Sequence, residues 1–229
     1  MSDINYILLT VYFLCVTYVL LQIINSFNDE FSIRLDQSDL DQQLEDYKLK
    51  DTIEVKFKFD IRYEFHKLDQ LAITVSNKSK EFPVYVDWDY SSLTDLDGRS
   101  RRVTRIVPGN TLDLLQNQVF SVIAPTRSLQ EKIVAEDMLV RKGDDGVVTI
   151  GEGKTIIDMK EPDKKAPEAK KIRYRDFMSG KIKYEFYLDL VMRLVTSSDD
   201  PGGFRTRLRC KFIISKLDWQ AGLPWNPKK

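Results

Sequence analysis

The sequence contains only two cysteines and one histidine among its 229 residues, and its formal net charge at neutral pH is zero. Two cysteines, Cys15 and Cys210, cannot form the disulfide framework of a small secreted domain. A zinc site needs several cysteine or histidine ligands, and a catalytic triad needs partners that His66 lacks. The balance of 35 basic and 35 acidic residues predicts neither nucleic acid nor an acidic surface as a partner.

A complete cofactor motif is also missing. The segment from Gly151 to Thr155 is similar to the end of a phosphate-binding loop, but that pattern requires a glycine where the chain has Val148. The residues after it are typical of a strand, whereas a phosphate-binding loop continues into a helix. The sequence therefore predicts no cofactor and no enzymatic activity, since an enzyme would need carboxylates that converge in a cleft.

Charged residues are absent from Ile4 to Asn28, and the core of this run, residues 6–24, is strongly apolar. A helix of this length extends about 28 Å, close to the hydrocarbon thickness of a bilayer. We therefore predict a transmembrane anchor over residues 1–28, with residues 6–24 in contact with membrane lipid. The alternatives are a buried core helix and a cleaved signal peptide, although a basic start and a small-residue cleavage site are both missing.

The predicted protein is thus a single-pass membrane protein, but its orientation is weakly indicated. The first basic residue after the run is Arg34, so the positive-inside rule gives little indication of the orientation. The acidic residues nearby favour an extracytoplasmic domain. One face of the run predicts a contact with another membrane helix. Alternatively, its hydroxyl groups bond to carbonyl groups of their own helix. The residues of this face are Thr10, Leu14, Thr17 and Leu21.

Residues 29–51 are predicted to form a membrane-proximal linker that contains a short amphipathic helix. Leu40, Leu44 and Tyr47 follow helical spacing behind Ser38, which is typical of a helix N-cap. The helix is expected to hold the rest of the chain away from the membrane. A solvated linker is the alternative.

Residues 52–217 are predicted to form an antiparallel, immunoglobulin-like β-sandwich, so the fold class is mainly β. Apolar and polar residues alternate from Ile53 to Phe65, which is the strongest strand pattern in the chain. Further short strands at intervals of roughly ten residues, separated by turn-forming residues, are typical of a sandwich. These strands are predicted at residues 71–75, 82–90, 100–107, 119–124 and 129–135.

Two longer alternating segments, from Ile182 to Leu194 and from Phe204 to Ile214, are predicted to form a hairpin. Their apolar residues have even numbers, so paired residue numbers that sum to about 400 place apolar side chains together. This register sets Asp189 opposite Lys211, and it buries Cys210 as a small hydrophobic residue.

Residues 141–175 interrupt the strand pattern. They are rich in Lys, Asp, Glu, Gly and Pro, which predicts a mobile charged excursion with a small hairpin of residues 147–150 and 155–159. The C-terminal tail, residues 218–229, is predicted to cover a sheet edge, with a position at the membrane interface as the alternative.

Two groups of charged residues are candidate sites. Four carboxylates crowd one short stretch and could hold Ca²⁺, although the residues around Gly98 also favour a tight turn. They are Asp87, Asp89, Asp95 and Asp97.

A basic row on the last two strands is the second candidate, as an interaction surface for phosphate, lipid headgroups or an acidic partner. The alternative is a solvated outer face balanced by Glu185 and Asp189. The members of the row are Arg193, Arg205, Arg207, Arg209 and Lys211.

The stretch Asp87-Trp88-x-x-Ser91, followed by Asp95-x-x-Gly98-x-Ser100-x-Arg102-Val103, resembles a pattern in uncharacterised bacterial envelope proteins. These are membrane-anchored or lipoprotein β-domains, and the resemblance covers residues 71–125. It implies an immunoglobulin-like sandwich in an envelope setting, without an assigned reaction or site residue. This chain departs from the pattern because it has no lipobox cysteine. We expect Trp88 to fill the core, Gly98 to form a turn, and Arg102 to pair with Asp87 or Asp95.

The leading prediction is a non-enzymatic, single-pass membrane protein whose β-domain binds or scaffolds another membrane or envelope component. A protein partner is expected, without nucleic acid. The alternative is a tethered domain that binds carbohydrate, lipid or Ca²⁺.

Overall fold

The computed structural model describes residues 3–26, 30–65, 68–106, 118–142, 147–195 and 203–217, and it describes side chains in the first helix from residue 5 to residue 21. The fold is mainly β. Predictions for His66, the turn before Gly203 and the tail of residues 218–229 lie outside the described residues.

The helices are α1 (Asp3–Ser26), α2 (Gln37–Asp46) and α3 (Glu168–Met178); the strands are β1 (Glu30–Leu35), β2 (Ile53–Lys58), β3 (Tyr63–Glu64), β4 (Leu71–Asn77), β5 (Val84–Thr94), β6 (Ser100–Arg105), β7 (Ser121–Ile123), β8 (Ser128–Ala135), β9 (Leu139–Lys142), β10 (Val147–Ile150), β11 (Tyr184–Leu194) and β12 (Phe204–Lys216).

Ten of the described strands form one curled antiparallel sheet in the order β2-β4-β8-β6-β5-β11-β12-β1-β3, with β7 paired to β5. The curl brings its two halves face to face, so the ring of Phe57 on β2 packs edge-on against Phe212 on β12, with centroids 4.8 Å apart. The core lies between the halves. An immunoglobulin-like sandwich is not confirmed, because both layers belong to one hydrogen-bonded path.

The short predicted strands correspond to β4 through β8, with ends that differ by a few residues. In β4, every second side chain is buried, from Leu71 through Ile73 and Val75 to Asn77. This alternation places one face of the strand in the core and follows directly from the period of two in a β-strand.

The hairpin of β11 and β12 is confirmed, with a register two residues away from the predicted one. Tyr184 pairs with Ile214, so paired numbers sum to 398, and Asp189 lies opposite Arg209 instead of Lys211. A shift of two residues keeps every side chain on its own face, and the apolar pattern therefore cannot distinguish the two registers.

The predicted long strand from Ile53 to Phe65 is interrupted. β2 ends at Lys58 and pairs with β4, whereas β3 begins at Tyr63 and pairs with β1. The chain crosses here from one half of the curled sheet to the other. Ile61, in the crossing, is 62% exposed despite its place in the alternating pattern.

Residues 29–51 contain a sheet strand as well as the predicted helix. β1 lies between β12 and β3 in the sheet, and it buries Phe31 and Ile33 in the core. This segment is therefore part of the packed domain instead of a linker.

The predicted amphipathic helix corresponds to α2, whose N-cap is Asp36 instead of Ser38. The Asp36 side chain accepts a hydrogen bond of 3.4 Å from the backbone N–H of Asp39. Leu40 and Leu44 are buried, and α2 packs against β12. The helix therefore covers the sheet and does not hold the domain away from a membrane.

In its described residues, 141–142 and 147–175, the excursion is packed, and the structure differs here from the prediction. Ile156, Ile157 and Met159 are buried, and β10 pairs with β9 instead of with residues 155–159. The segment ends in α3, which the sequence pattern did not indicate. The reason is that α3 buries a single residue, Phe177, which stacks on the ring of Tyr184 at 4.2 Å.

In α1, the large apolar side chains from Tyr6 to Leu21 are between 37% and 65% exposed. In the described part of the chain, no helix is long and apolar enough to cross a membrane, so the transmembrane anchor is not confirmed. The Thr10 hydroxyl donates a hydrogen bond of 2.8 Å to the carbonyl oxygen of Tyr6. Thr10 thus bonds to a carbonyl group of its own helix, which is the alternative to the predicted helix–helix contact. The face predicted for that contact is Thr10, Leu14, Thr17 and Leu21.

Candidate functional site

The outer face of β5, β11 and β12 carries much of both candidate groups. Even-numbered residues of β11 and those of β12 from Thr206 to Ile214 fill the core, so the odd-numbered residues point outward. The cross-strand rows of this face bring the acidic residues of β5 and β11 beside the basic residues of β12. The rows are Tyr85–Arg193–Arg205, Asp87–Val191–Arg207 and Ser92–Asp189–Arg209.

The four carboxylates of the predicted calcium cluster are dispersed. Each one is engaged with a different group, and no three side chains of the types His, Cys, Asp and Glu form a metal-ligand set in the described residues. The structure therefore does not bring these carboxylates together around one ion. The partners of Asp87, Asp89, Asp95 and Asp97 are, in turn, Arg205, Arg102, the backbone N–H groups of Asp97 and Arg99, and Lys170.

Asp89 forms a local network at the β5–β6 hairpin. It pairs with Arg102 and accepts a hydrogen bond of 2.9 Å from the backbone N–H of Gln118. Burial opposes ionisation, but these hydrogen bonds outweigh it and lower the pKa of Asp89. Arg102 also lies 3.4 Å from Glu136, so its ion pairs within the described residues are with Asp89 and Glu136 instead of the predicted Asp87 or Asp95.

The serine of the Asp-Trp-x-x-Ser motif holds an irregularity in β5. The ladder with β11 shifts register between Asp189 and Val191. The hydroxyl of Ser91 donates to the carbonyl oxygen of Asp87 at 2.7 Å and accepts from the backbone N–H of Val191 at 3.0 Å. Ser91 thereby satisfies backbone groups that the bulge takes out of the ladder, and it sets the position of Asp87 on the outer face.

The tryptophan of the same motif is fully buried, which confirms its predicted place in the core. Its indole N–H donates a hydrogen bond of 2.9 Å to the Ser121 hydroxyl, which also accepts one of 3.0 Å from Arg105. The predicted turn is confirmed too: Gly98 has a φ of +80° and donates to the carbonyl oxygen of Asp95 at 3.1 Å. The motif thus builds the scaffold of the face.

Arg205, Arg207 and Arg209, which we call the arginine face, are the most accessible members of the basic row. Their side chains are 48%, 56% and 55% exposed. Arg205 lies 3.1 Å from Asp87, while Arg207 and Arg209 both bond to Asp189. In the described residues, three guanidinium groups therefore share two carboxylates.

Asp189 is the buried centre of this arrangement, with a side chain that is only 4% exposed. Burial opposes its charge, but the hydrogen bonds from Arg207 and Arg209 outweigh burial and lower the pKa of Asp189 below its usual value. The carboxylate stays ionised at neutral pH and fixes both arginines.

The other two basic residues are engaged differently. Arg193 lies over the rings of Tyr85 and Phe120, at 5.1 and 5.2 Å from their centroids. Lys211 lies 3.0 Å from Glu185, as the balanced-face alternative predicts for this end of the row. The candidate surface therefore centres on the arginine face.

A groove of about 550 Å³ runs beside the arginine face. The Arg205 guanidinium lies 4.0 Å from the ring centroid of Tyr90, a residue that is 66% exposed. Sequence reasoning missed Tyr90, because alternation places it on the same face as the buried Trp88, and the irregularity in β5 exposes it instead. The groove is lined by Tyr90, Ser92, Ser100, Val191, Arg205, Thr206 and Arg207.

A second cavity, of about 290 Å³, lies beside α3. Arg173 and Phe177 of α3 hold the ring of Tyr184 between them, with the guanidinium carbon 4.9 Å from its centroid. The cavity combines an apolar lining, which includes Leu96 and Met159, with the ammonium group of Lys170. No sequence pattern indicates this cavity, because α3 buries only Phe177 and has no amphipathic pattern.

Cys210 is not part of either site. It is fully buried, and this burial raises the pKa of its thiol far above the usual value, so the thiol stays protonated and unreactive. Its predicted role as a buried small hydrophobic residue is confirmed.

The chain matches no protein-family model, and no curated protein matches it either. The resemblance to bacterial envelope β-domains remains a prediction from residues 71–125.

Proposed function

We propose that this chain is a membrane-associated binding protein, in which α1 enters a lipid bilayer and the arginine face binds an acidic protein partner. The observation that carries the proposal is the arrangement of Arg205, Arg207 and Arg209. Three half-exposed guanidinium groups lie in a row beside a groove and share two carboxylates of their own chain.

Guanidinium groups suit this role because each has five N–H donors in a planar fork that matches a carboxylate. Asp189 accepts one bond from Arg207 and one from Arg209, so other donors of both groups face the surface. The exposed ring of Tyr90 beside Arg205 adds an apolar contact, and Arg and Tyr are typical of residues that dominate binding energy at interfaces.

A protein segment fits this face better than a lipid headgroup does. Successive outward residues of a strand are about 7 Å apart, which is also the spacing of alternate side chains in an extended chain. Acidic residues at every second position can therefore meet Arg205, Arg207 and Arg209 in turn. The groove provides the depth that such side chains need.

Membrane association rests on α1. The helix contains 24 residues, and its described large apolar side chains, from Tyr6 to Leu21, are between 37% and 65% exposed. A continuous apolar surface of this extent is strongly unfavourable in water and marks a protein or membrane contact. With α1 in the bilayer, the acidic residues after it favour an extracytoplasmic β-domain.

The arginine face can be tested with the full-length chain in detergent micelles. The probe is a ten-residue peptide that alternates glutamate and threonine, compared with the same peptide carrying glutamine at every glutamate. The glutamate peptide should bind at low ionic strength and lose affinity as salt is added, because the contact is charge-driven. The glutamine peptide should not bind.

The variant for this test replaces Arg205 and Arg207 by glutamine and keeps Arg209 as the partner of Asp189. We expect at least a tenfold loss of affinity for the glutamate peptide. The matched control replaces the exposed Lys164 and Lys165 by glutamine. Equal affinity of the two variants would contradict the proposed role of the arginine face, and binding to anionic vesicles alone would identify a lipid surface as its target.

Membrane association is tested by alkaline carbonate extraction together with thiol labelling. The chain should stay in the membrane fraction, and Cys15 in α1 should react with a charged, membrane-impermeant thiol reagent only after detergent is added. A Cys15→Ser variant, which keeps Cys210, controls for labelling of that second cysteine. Recovery of the intact chain in the soluble fraction would contradict this part of the proposal.

The cavity beside α3 supports a second candidate function, binding of a small amphipathic carboxylate. Met159 and Tyr184 offer an apolar wall, and Lys170, which pairs with Asp97 at 2.8 Å, offers a cation at its rim. Fatty and aromatic carboxylates should raise the unfolding temperature of the chain. An Ala169→Trp variant, which fills the cavity, should lose this shift. No shift with any of these acids would exclude the candidate.

A further inference from the structure

Strand β12 is longer than its neighbour on one side. It pairs with β11 from Phe204 to Ile214, which is all but the last two residues of β12. On the other side, β1 pairs with β12 only from Phe212 to Lys216, and the contact ends where Asp36 donates to the carbonyl oxygen of Lys211 at 2.8 Å. The first half of β12 therefore extends beyond β1.

Gln43 of α2 covers the next position on this edge. Its side-chain oxygen accepts from the backbone N–H of Arg209 at 2.8 Å, and its side-chain nitrogen donates to the carbonyl oxygen of the same residue at 2.8 Å. A side-chain amide thus makes the two bonds that a neighbouring strand residue would make.

Further along β12, the edge is defined by the alternation of backbone groups between the two sides of the strand. The backbone groups of Arg209 point away from β11, and in an antiparallel ladder the groups of every second residue point to the same side. The N–H and C=O groups of Arg205 and Arg207 therefore also point away from β11. In the described residues, no strand and no side chain bonds to them on that side.

We propose that this free edge of β12, residues 204–208, accepts one further β-strand from an extended acidic segment of a partner protein. This inference rests on the proposed function and adds the way in which the acidic segment binds. A sheet edge with unpaired N–H and C=O groups is a template for another strand, and strand addition is a common mode of peptide recognition.

The charge of the edge selects the partner. Arg205 and Arg207 project from the outer face of the same residues whose backbone groups are free, and Arg209 continues the row beside Gln43. Residues directly opposite each other in a ladder share a face, so acidic side chains of the added strand meet the arginines. The like charge of the arginines also disfavours pairing of two such edges with each other.

The experiment compares two peptides on the full-length chain in detergent micelles. Both alternate glutamate and threonine over ten residues, and one is N-methylated at every glutamate. The two peptides have the same charge, but the methylated peptide lacks the N–H groups that face β12. We expect at least a tenfold weaker affinity for it. Hydrogen exchange at the Arg205 and Arg207 amides should be fast in the free chain and slow with the unmethylated peptide.

Two variants separate backbone from charge within the protein. Arg207→Ala and Arg207→Pro both remove the same guanidinium group. The proline also removes an N–H group that points away from β11, which an edge strand tolerates. We expect Arg207→Pro to bind the unmethylated peptide at least tenfold more weakly than Arg207→Ala, with similar unfolding temperatures.

The outcomes are distinct. Equal binding of the methylated and unmethylated peptides would overturn strand addition and leave the acidic partner of the proposed function in place. Failure of both peptides to bind would overturn the two proposals together. Slow exchange at the Arg205 and Arg207 amides in the free chain would show that another segment already occupies the edge, and it would overturn this inference alone.

Discussion

Asp189 on β11 lies directly opposite Arg209 on β12, and its Oδ1 accepts a hydrogen bond of 2.9 Å from Nε of that arginine. Its second carboxylate oxygen bonds to Arg207. One buried carboxylate thus orients two arginines of the candidate surface, and its removal should affect stability and binding together.

We expect Asp189→Asn to lower the free energy of unfolding by about 1.5–3 kcal/mol, the usual worth of hydrogen bonds to a charged group. Urea titration of the full-length chain in detergent, followed by tryptophan fluorescence, measures this change. Asp97→Asn is the matched control. Asp97 forms an exposed pair with Lys170, and its replacement should cost less than about 1 kcal/mol.

The contribution of Asp189 should also depend on pH in one direction. Its pKa is lower in the folded chain than in the unfolded chain, so its stabilising effect is complete above the unfolded value of about 4. The effect is lost as the pH falls through the lower, folded value. The difference in unfolding free energy between the original chain and Asp189→Asn should therefore be constant near neutral pH and shrink in acid. A difference that grows in acid would contradict the assignment.

We expect Ser91→Ala to destabilise the chain by about 1–3 kcal/mol, because the buried N–H of Val191 then lacks an acceptor. The neighbouring Ser92→Ala should change the unfolding free energy by less than about 0.5 kcal/mol. Urea denaturation of both variants measures the difference. Equal effects would show that the hydroxyl of Ser91 does not hold the bulge.

Alanine substitutions at Gly203 and, as a comparison, at Gly98 test the β11–β12 register. Gly203 has a φ of +63°, and a Cβ atom there would lie 2.4 Å from the carbonyl oxygen of Leu194. Gly98 has a φ of +80°, but a Cβ atom there meets no atom within 4 Å. We expect Gly98→Ala to cost about 1 kcal/mol and Gly203→Ala clearly more. Thermal unfolding of both variants compares these losses of stability. Equal losses would contradict the register.

The packed excursion is tested at Ile156, which is buried and donates its backbone N–H to the carbonyl oxygen of Leu68 at 2.8 Å. We expect Ile156→Ala to lower the unfolding free energy by about 2–5 kcal/mol. Ile172→Ala, at a residue of α3 that is 41% exposed, should cost less than about 1 kcal/mol. Rapid proteolysis around residue 156 in the unmodified chain would instead support a mobile excursion.

The sequence pattern predicted which side a residue faces better than it predicted which strand lies beside it. Even-numbered residues of β11, and those of β12 from Thr206 to Ile214, are in the core, whereas Phe204 is 49% exposed against expectation. Asp189 faces Arg209 because two registers satisfy the same pattern. Ile61 likewise continues the alternation of β2, although the chain has already left the ladder. Alternation records burial, whereas pairing depends on long-range contacts.

The elements that sequence reasoning missed have weak or overlooked signals. β1 alternates Phe31, Ile33 and Leu35, but it follows directly on the apolar run, so its position favours a linker over a strand. α3 buries only Phe177, so no amphipathic pattern marks it. The free edge of β12 has no signature in the sequence, because it results from the different lengths of two strands that are distant in the chain.

The chain passes from α1 to β1 in three residues, 27–29, and β1 is the strand next to β12. Four Cα–Cα steps join Ser26 to Glu30, so this connection spans at most about 14 Å. If α1 enters a bilayer as we propose, β1 lies close to the lipid, and we expect a partner for β12 that is itself held at the membrane surface.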